Sequence, residues 1–216
     1  MQRRQFSLAA ATAASSLLLS ANNAFAQPAA PVQGKQYLAL AKPISTDAPA
    51  GKVEVLEFFW YSCGHCNAFE PMFSAWKKNA PASVIVHQVP VAFNSSFVPQ
   101  QKLFYTLQDM DLLPSLHAKV FHAIHVERNR LANDDAIFEW IGKQGVDVSK
   151  FKQVYNSFSV ASKARKATQL MQDYGVEGVP SMGVAGRYYT DGTYAGSSAN
   201  MLVVVDYLIQ QSLKAA

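Results

Sequence analysis

After Lys52 the chain reads Val-Glu-Val-Leu-Glu-Phe-Phe-Trp-Tyr to residue 61, a run of β-branched and aromatic side chains interrupted only by Glu54 and Glu57. A short apolar run of this kind predicts a central strand covered on both faces. It feeds a turn at Ser62-Cys63-Gly64-His65-Cys66. Beyond that turn Phe69, Met72, Phe73 and Trp76 fall on one helical face reaching about Lys78. Pro71 lies inside this helix and predicts a kink. Val84 to Val91 reads as a second strand, so residues 52–91 form a strand–helix–strand unit long enough for parallel pairing.

From Pro99 to Tyr174 the apolar period is helical, with breaks near Leu113-Pro114, between Arg130 and Asn133, and at Gly145 and Asn156, predicting four or five helices. Asn133 ahead of Asp134-Asp135 has the chemistry of an N-cap, and Gly145 and Gly175 stand where helix C-terminal glycines belong. Two short apolar runs follow, Val179 to Ala185 and Gly186 to Thr190, and predict a hairpin. A last apolar helix is expected from about Asn200 to Leu213. Gln27 to Ala50, with Pro28, Pro31, Pro43 and Pro49, reads as an extended lead-in whose one candidate edge strand is Tyr37 to Leu40. No internal repeat or low-complexity stretch follows residue 26. The pattern as a whole is α/β, with an all-helical insertion between two halves of a sheet.

The first 26 residues change the compartment. Arg3 and Arg4 precede an apolar run rich in Ala and Leu that ends at Ala24-Phe25-Ala26, the layout of a cleaved secretory signal peptide. A membrane anchor fits less well, because the run is short and carries several Ser and Thr. Arg3-Arg4 suits an ordinary export signal or an incomplete twin-arginine one, so the route stays open. Cleavage after Ala26 removes two charges and lowers the net charge from +4 to +2, a balance that gives nucleic acid no foothold. At 50% hydrophobic and 12% aromatic residues, what is left has the material for one sizeable core.

An exported chain is free to use structural disulfides, yet this one holds two cysteines, Cys63 and Cys66. A bridge between them closes too small a loop to add much chain-entropy stability, so the pair points to chemistry. At the junction of a buried strand and a helix, Cys63 faces unpaired backbone N–H groups and the positive end of the helix dipole, which favour its thiolate. Cys66, one turn further, can reach Cys63 and is expected to be shielded as the resolving sulfur. His65 between them can stabilise the Cys63 thiolate by charge or hydrogen bonding, and a stabilised reduced form makes the disulfide a stronger oxidant.

A metal site competes for the same cysteines. A lone pair lacks the second pair of ligands that a closed zinc site needs, and His87, His117, His122 and His125 are not spaced close behind it. Covalent haem attachment would need His at position 67, where Asn67 stands. No cofactor and no metal is expected.

Several other residues are singled out. Val179-Pro180 precedes a predicted strand. Its plainer reading is a proline at a strand start, and its sharper one a cis bond that sets backbone groups beside Cys63 for an extended substrate segment. Glu57 in the buried strand needs a partner, and Glu70 near Cys66 could serve its proton transfers, although a solvated helix-face acid is the simpler reading of Glu70. Phe58, Phe59, Trp60 and Tyr61 read mainly as core, with Trp60 or Tyr61 available to line a peptide groove. His122 and His125 share a helix face at the surface or the core edge.

Val55-Leu-Glu-Phe-Phe59 running into Cys63-Gly-His-Cys66, then Phe69-Glu70, and far downstream Gly178-Val179-Pro180, resembles the DsbA family. The resemblance spans essentially everything after the signal peptide. It implies a thioredoxin fold divided as residues 27–98 and 166–216 around a helical insertion at 99–165. It also implies a periplasmic, monomeric dithiol oxidase acting on reduced exported polypeptides, with a DsbB-like, quinone-linked membrane partner that returns its electrons. A cis Val179–Pro180 bond, thiolate stabilisation by His65 and a buried Glu57 near Cys66 belong to the same expectation. One departure is Gly64, where the best-known members carry Pro; Gly-His is the dipeptide of eukaryotic disulfide isomerases and suggests a milder oxidant. The competing functions are a disulfide isomerase or reductase and a metal-binding thiol chaperone. For an isomerase, residues 27–50 are too short to supply the usual dimerisation region.

Overall fold

The computed structural model describes residues 29–214, so the segment read as a signal peptide lies outside them. The chain enters one mixed sheet from both ends. Before the helical region it supplies β1 (Leu38–Ala39), β2 (Val53–Phe59) and β3 (Val84–Pro90), with α1 (Gly64–Lys78) between the last two. Helices α2 (Val98–Asp109), α3 (Leu113–His125), α4 (Asp134–Lys143), α5 (Val148–Tyr155) and α6 (Phe158–Asp173) follow. Then come β4 (Ser181–Val184), β5 (Tyr188–Asp191), the single turn α7 (Gly192–Ala195) and α8 (Ser198–Lys214). The sheet order is β1-β5-β4-β2-β3, with β2 parallel to β3 and antiparallel to β4. The expected hairpin is present as the antiparallel pair β4 and β5.

All seven residues of β2 are buried, which is what a central strand covered on both faces requires. Val53 and Val55 face Phe69 and Phe73 of α1 together with Met201, Val205 and Leu208 of α8. Leu56 and Phe58 turn the other way, into a second core with Leu103, Phe104, Phe121 and Ile137 of the helical region. Each such side chain, fully buried, is worth about 1.5–3 kcal/mol. The two cores therefore clamp β2, and the turn that follows it, from opposite sides. Gly183 of β4 lets the Tyr174 ring lie flat on the sheet: a Cβ there would stand 2.4 Å from the ring, which also packs 5.2 Å from that of Phe58.

The caps form as their chemistry dictates. Asn133 accepts the Ala136 N–H at 2.9 Å to start α4, and Gly145 and Gly175 take positive φ just past the ends of α4 and α6. Three expectations are corrected. β2 ends at Phe59, because the Trp60 carbonyl turns to accept the Cys63 N–H at 3.0 Å. α8 begins at Ser198, ahead of Asn200. Met72 is 42% exposed, and the buried stripe of α1 is Cys66, Phe69, Glu70 and Phe73. α1 itself runs on through the exposed Pro71, which removes one ladder donor without ending the element.

Candidate active site

The turn after β2 delivers Cys63 to the N-cap of α1. Its backbone is extended (φ −81°, ψ 118°), and its sulfur accepts the Cys66 N–H at 3.4 Å, a role a serine or aspartate oxygen more often fills. Cys63 is half-buried and Gly64 and His65 are exposed, whereas Cys66, one turn in and on the stripe facing the sheet, is 1% exposed. The two sulfurs thus share a helix and differ in solvent.

Their acidities diverge accordingly. The Cys63 thiol is brought down from 9.0 to about 6. The hydrogen bond from the Cys66 thiol contributes most; the N–H groups of Cys66 and His65 and the His65 charge add to it, together outweighing partial burial. Burial pushes the Cys66 thiol far above the ordinary range, reinforced by Cys63 and by the Glu57 charge. Of these contributions the His65 charge is the smallest, and the Cys66 groups do more.

The Val179–Pro180 bond is cis. The Val179 carbonyl accepts the Cys63 S–H at 3.3 Å, so this stretch, 116 residues away in sequence, flanks the half-buried sulfur.

Beneath Cys66 lies a buried polar cluster. Gln88 of β3 donates to Glu57 at 2.8 Å and to Glu70 at 3.3 Å, and Lys77 donates to the Gln88 side-chain oxygen Oε1 at 3.0 Å. His117 of α3 places Nε2 3.4 Å from Glu70 Oε2 and Nδ1 2.7 Å from the Tyr61 hydroxyl. Ser74 donates to the other Glu70 oxygen. Burial, and then the Glu70 charge, push Glu57 up to about 8, so this carboxyl keeps its proton at neutral pH. For Glu70 burial acts upward too, but the hydrogen bond and charge of His117, helped by Ser74 and Lys77, hold it below its ordinary value. Tyr61 stays a phenol, its acidity suppressed by burial and then by the charges of Glu70 and Glu57.

Glu57 is buried as its strand position demands. The simpler reading of Glu70 fails: it is 8% exposed and partnered by a histidine. Tyr61, at 1% exposure, lines no groove, whereas Trp60 is half-buried with its ring 4.1 Å from that of Phe97. His125 bonds the Tyr61 carbonyl at 2.8 Å, and Gln100 donates to Ser62 Oγ at 2.7 Å, bracing the turn from below. Residue order alone did not single out His117, Gln88 or Gln100. The signal for His117 was its place on the apolar stripe of α3 beside Leu116, Val120 and Phe121, where an unpartnered imidazole would be costly.

Three kinds of likeness bear on this arrangement. Residues 87–202 match the family model described as a DSBA-like thioredoxin domain, a stretch that excludes the cysteine turn and so is independent of it. The thiol:disulfide interchange protein DsbA of Bordetella parapertussis is 47% identical over 216 residues, covering 99% of this chain and 100% of that one. The protein of the same name from Pseudomonas aeruginosa is 39% identical over 85% of this chain and 86% of its own. Among solved structures, Pseudomonas aeruginosa DsbA superposes with TM-score 0.80 at 38% identity, covering 84% of this chain and 94% of that one. Oxidoreductase DsbA of Xylella fastidiosa superposes with TM-score 0.78 at 27% identity over 86% of this chain and 99% of that one.

Proposed function

The chain belongs to the DsbA family of thioredoxin-fold proteins and is a thiol:disulfide oxidoreductase, and from that premise we propose that it inserts disulfides into reduced exported polypeptides through Cys63 and Cys66. The observation that carries the reading is the divergence of the two thiols on one helix, one acidic and accessible, the other buried and held protonated.

In the oxidised protein a substrate thiolate attacks Cys63 Sγ and the Cys63–Cys66 bond breaks, leaving a mixed disulfide on Cys63. Cys66 departs as a buried thiolate and takes up a proton. Glu57, protonated at neutral pH and close enough for its charge to act on Cys66, is the source we assign, with Glu70, Gln88 and His117 as the path by which that proton is replaced. A second substrate thiolate then attacks the substrate sulfur of the mixed disulfide, and Cys63 leaves as the stable thiolate. The substrate gains a disulfide, and two electrons remain on the pair. A thiol acidity near 6 favours the reduced pair about tenfold at pH 7 over an ordinary thiol, or about 30 mV of oxidising strength. The Val179 carbonyl and the half-buried Trp60 edge flank an extended substrate segment on Cys63, and His65 and Gly64 leave the sulfur open to it.

The protein works as a monomer in the periplasm after loss of residues 1–26, and a DsbB-like membrane partner linked to quinone reoxidises it. Among the described residues no helix is long and apolar enough to cross a membrane. The thioredoxin-fold halves are residues 27–98 and 166–216, around the insertion at 99–165.

Equilibrating the pair against glutathione buffers, while following thiolate absorbance against pH, tests the reading. An oxidising midpoint with Cys63 titrating near 6 is expected. A pair that resists the glutathione pool as structural disulfides do, below about −300 mV, or a Cys63 titrating near 8.5, overturns it.

A further inference from the structure

Beside the active-site turn, on the side of the helical insertion, lies an open cleft of about 610 Å³. Trp60, Ser62 and Gln100 form part of its wall, and His125, Arg128 and Arg130 are among its other lining residues. No aspartate or glutamate lines it. Both arginines are exposed, and neither makes an ion pair among the described residues. The one acid adjacent in sequence, Glu127, is engaged by His122 Nδ1 at 3.1 Å.

The arginine segment is held in place. Gln100, 3% exposed, donates both to Ser62 Oγ and to the Arg130 carbonyl, at 2.7 and 2.9 Å, tying the residue next to Cys63 to the segment that carries the cations. Arg128 and Leu131 adopt positive φ (61° and 45°), a conformation that non-glycine residues take rarely and keep only when their surroundings enforce it. Two cleft residues also keep a buried polar atom without an internal partner, the Trp60 Nε1 donor and the Gln100 Oε1 acceptor. Both atoms are sealed from the surface, so the cleft's occupant is assigned from the exposed arginine charges.

We propose that this cleft is a specificity subsite for acidic residues flanking the substrate cysteine. The inference rests on the oxidase reading above. It assigns Arg128 and Arg130 to an anionic polypeptide segment running from Cys63 over Ser62 and Trp60 into the cleft. Arginine suits this role because its planar fork pairs with carboxylates at two points. The same charges lower the pKa of a thiol held nearby, so a substrate cysteine entering on this side attacks more readily as its thiolate.

The test uses the purified oxidised protein and three reduced two-cysteine peptides differing only in Asp, Ser or Lys beside the first cysteine. The kcat/KM of each is compared between the parent and an Arg128→Asn/Arg130→Gln variant. Asn suits the positive φ at residue 128, and the ratio to the parent cancels each peptide's own thiol reactivity. The Asp-to-Ser preference is expected to fall about fivefold in the variant, the size that two exposed ion pairs support. In the parent the same preference is expected to shrink between 20 and 500 mM salt as charges are screened. Arg128→Glu/Arg130→Glu should turn the preference toward the Lys peptide. A preference unchanged by the variants, or a parent indifferent to flanking charge at low salt, overturns the subsite. Oxidation of none of the three peptides by the parent would instead overturn the oxidase reading.

Discussion

Cys63 and Cys66 stand one turn apart on the same helix, yet their surroundings are nearly opposite. Around Cys63 there is solvent, the end of a helix with free N–H groups, and a hydrogen bond from the partner thiol. Around Cys66 there is the sheet, Phe59 and Tyr61 in the same core, and a carboxyl that keeps its proton. The difference lies in position along α1. An N-cap sulfur takes the donors that the helix leaves unused, whereas a sulfur three residues in has its own N–H committed and its side chain turned to the core. Divergent acidities follow from geometry that a strand, a tight turn and an amphipathic helix supply together.

Breaking one sulfur at a time gives the largest effects. Cys63→Ser is expected to abolish oxidation of a reduced test protein, a loss of at least about a thousandfold, since the attacked atom is gone. Cys66→Ser should lose turnover as well but accumulate covalent adducts, because Cys63 can still form a mixed disulfide that nothing inside the protein resolves. Non-reducing electrophoresis with mass spectrometry reads both. Adducts on the Cys63→Ser variant rather than on Cys66→Ser would reverse the assignment.

The same contrast divides what the residue pattern disclosed from what it concealed. The strand, the cysteine pair at a helix start, the terminal hairpin and the Asn133 cap all rest on residues close in sequence, where local rules act directly. The surroundings of Cys63 were legible to that extent. Those of Cys66 were not, because they are built from long-range meetings: Tyr61 and His117 are 56 residues apart, and Gln88 and Glu57 are 31 apart. Glu70 was misjudged for a related reason. On α1 alone it sits as well on a wet face as on a dry one. Only the arrival of α3, bringing His117, decides between them.

An intermediate effect tests that concealed half. Glu57 is raised from 4.5 to about 8, so the folded state holds this proton more tightly than the unfolded chain. Its contribution to stability is therefore fully present below pH 4.5 and is lost as pH rises through about 8. At pH 7.5 that loss is about 2–4 kcal/mol by linkage. Glu57→Gln removes the titration while keeping an oxygen for the Gln88 amide. The variant should be more stable than the parent by about that amount at pH 7.5, with the gain vanishing toward pH 4.5 in denaturant unfolding. It should also open its Cys63–Cys66 disulfide about tenfold more slowly at pH 7, since Cys66 loses its proton donor. Equal stability across this pH window would detach Glu57 from the buried cluster's electrostatics.

The smallest effect is expected at the residue between the two environments. Gly64 is the first helical residue of α1, where proline is favoured because the N–H has no ladder partner and φ near −65° suits the helix. The backbone of Cys63, at ψ 118°, already lies in the region that a residue before proline adopts, and a Cβ at Gly64 would meet nothing within 4 Å. The N–H groups that favour the Cys63 thiolate come from His65 and Cys66, so none of them is removed by the substitution. Gly64→Pro should therefore stabilise the reduced protein by about 0.4–1 kcal/mol by narrowing the unfolded ensemble, a rise of about 1–4 °C in Tm. A drop in Tm would mean that the helix start depends on the freedom of this glycine, and that the two sulfurs are held apart by a more strained turn than the backbone angles indicate.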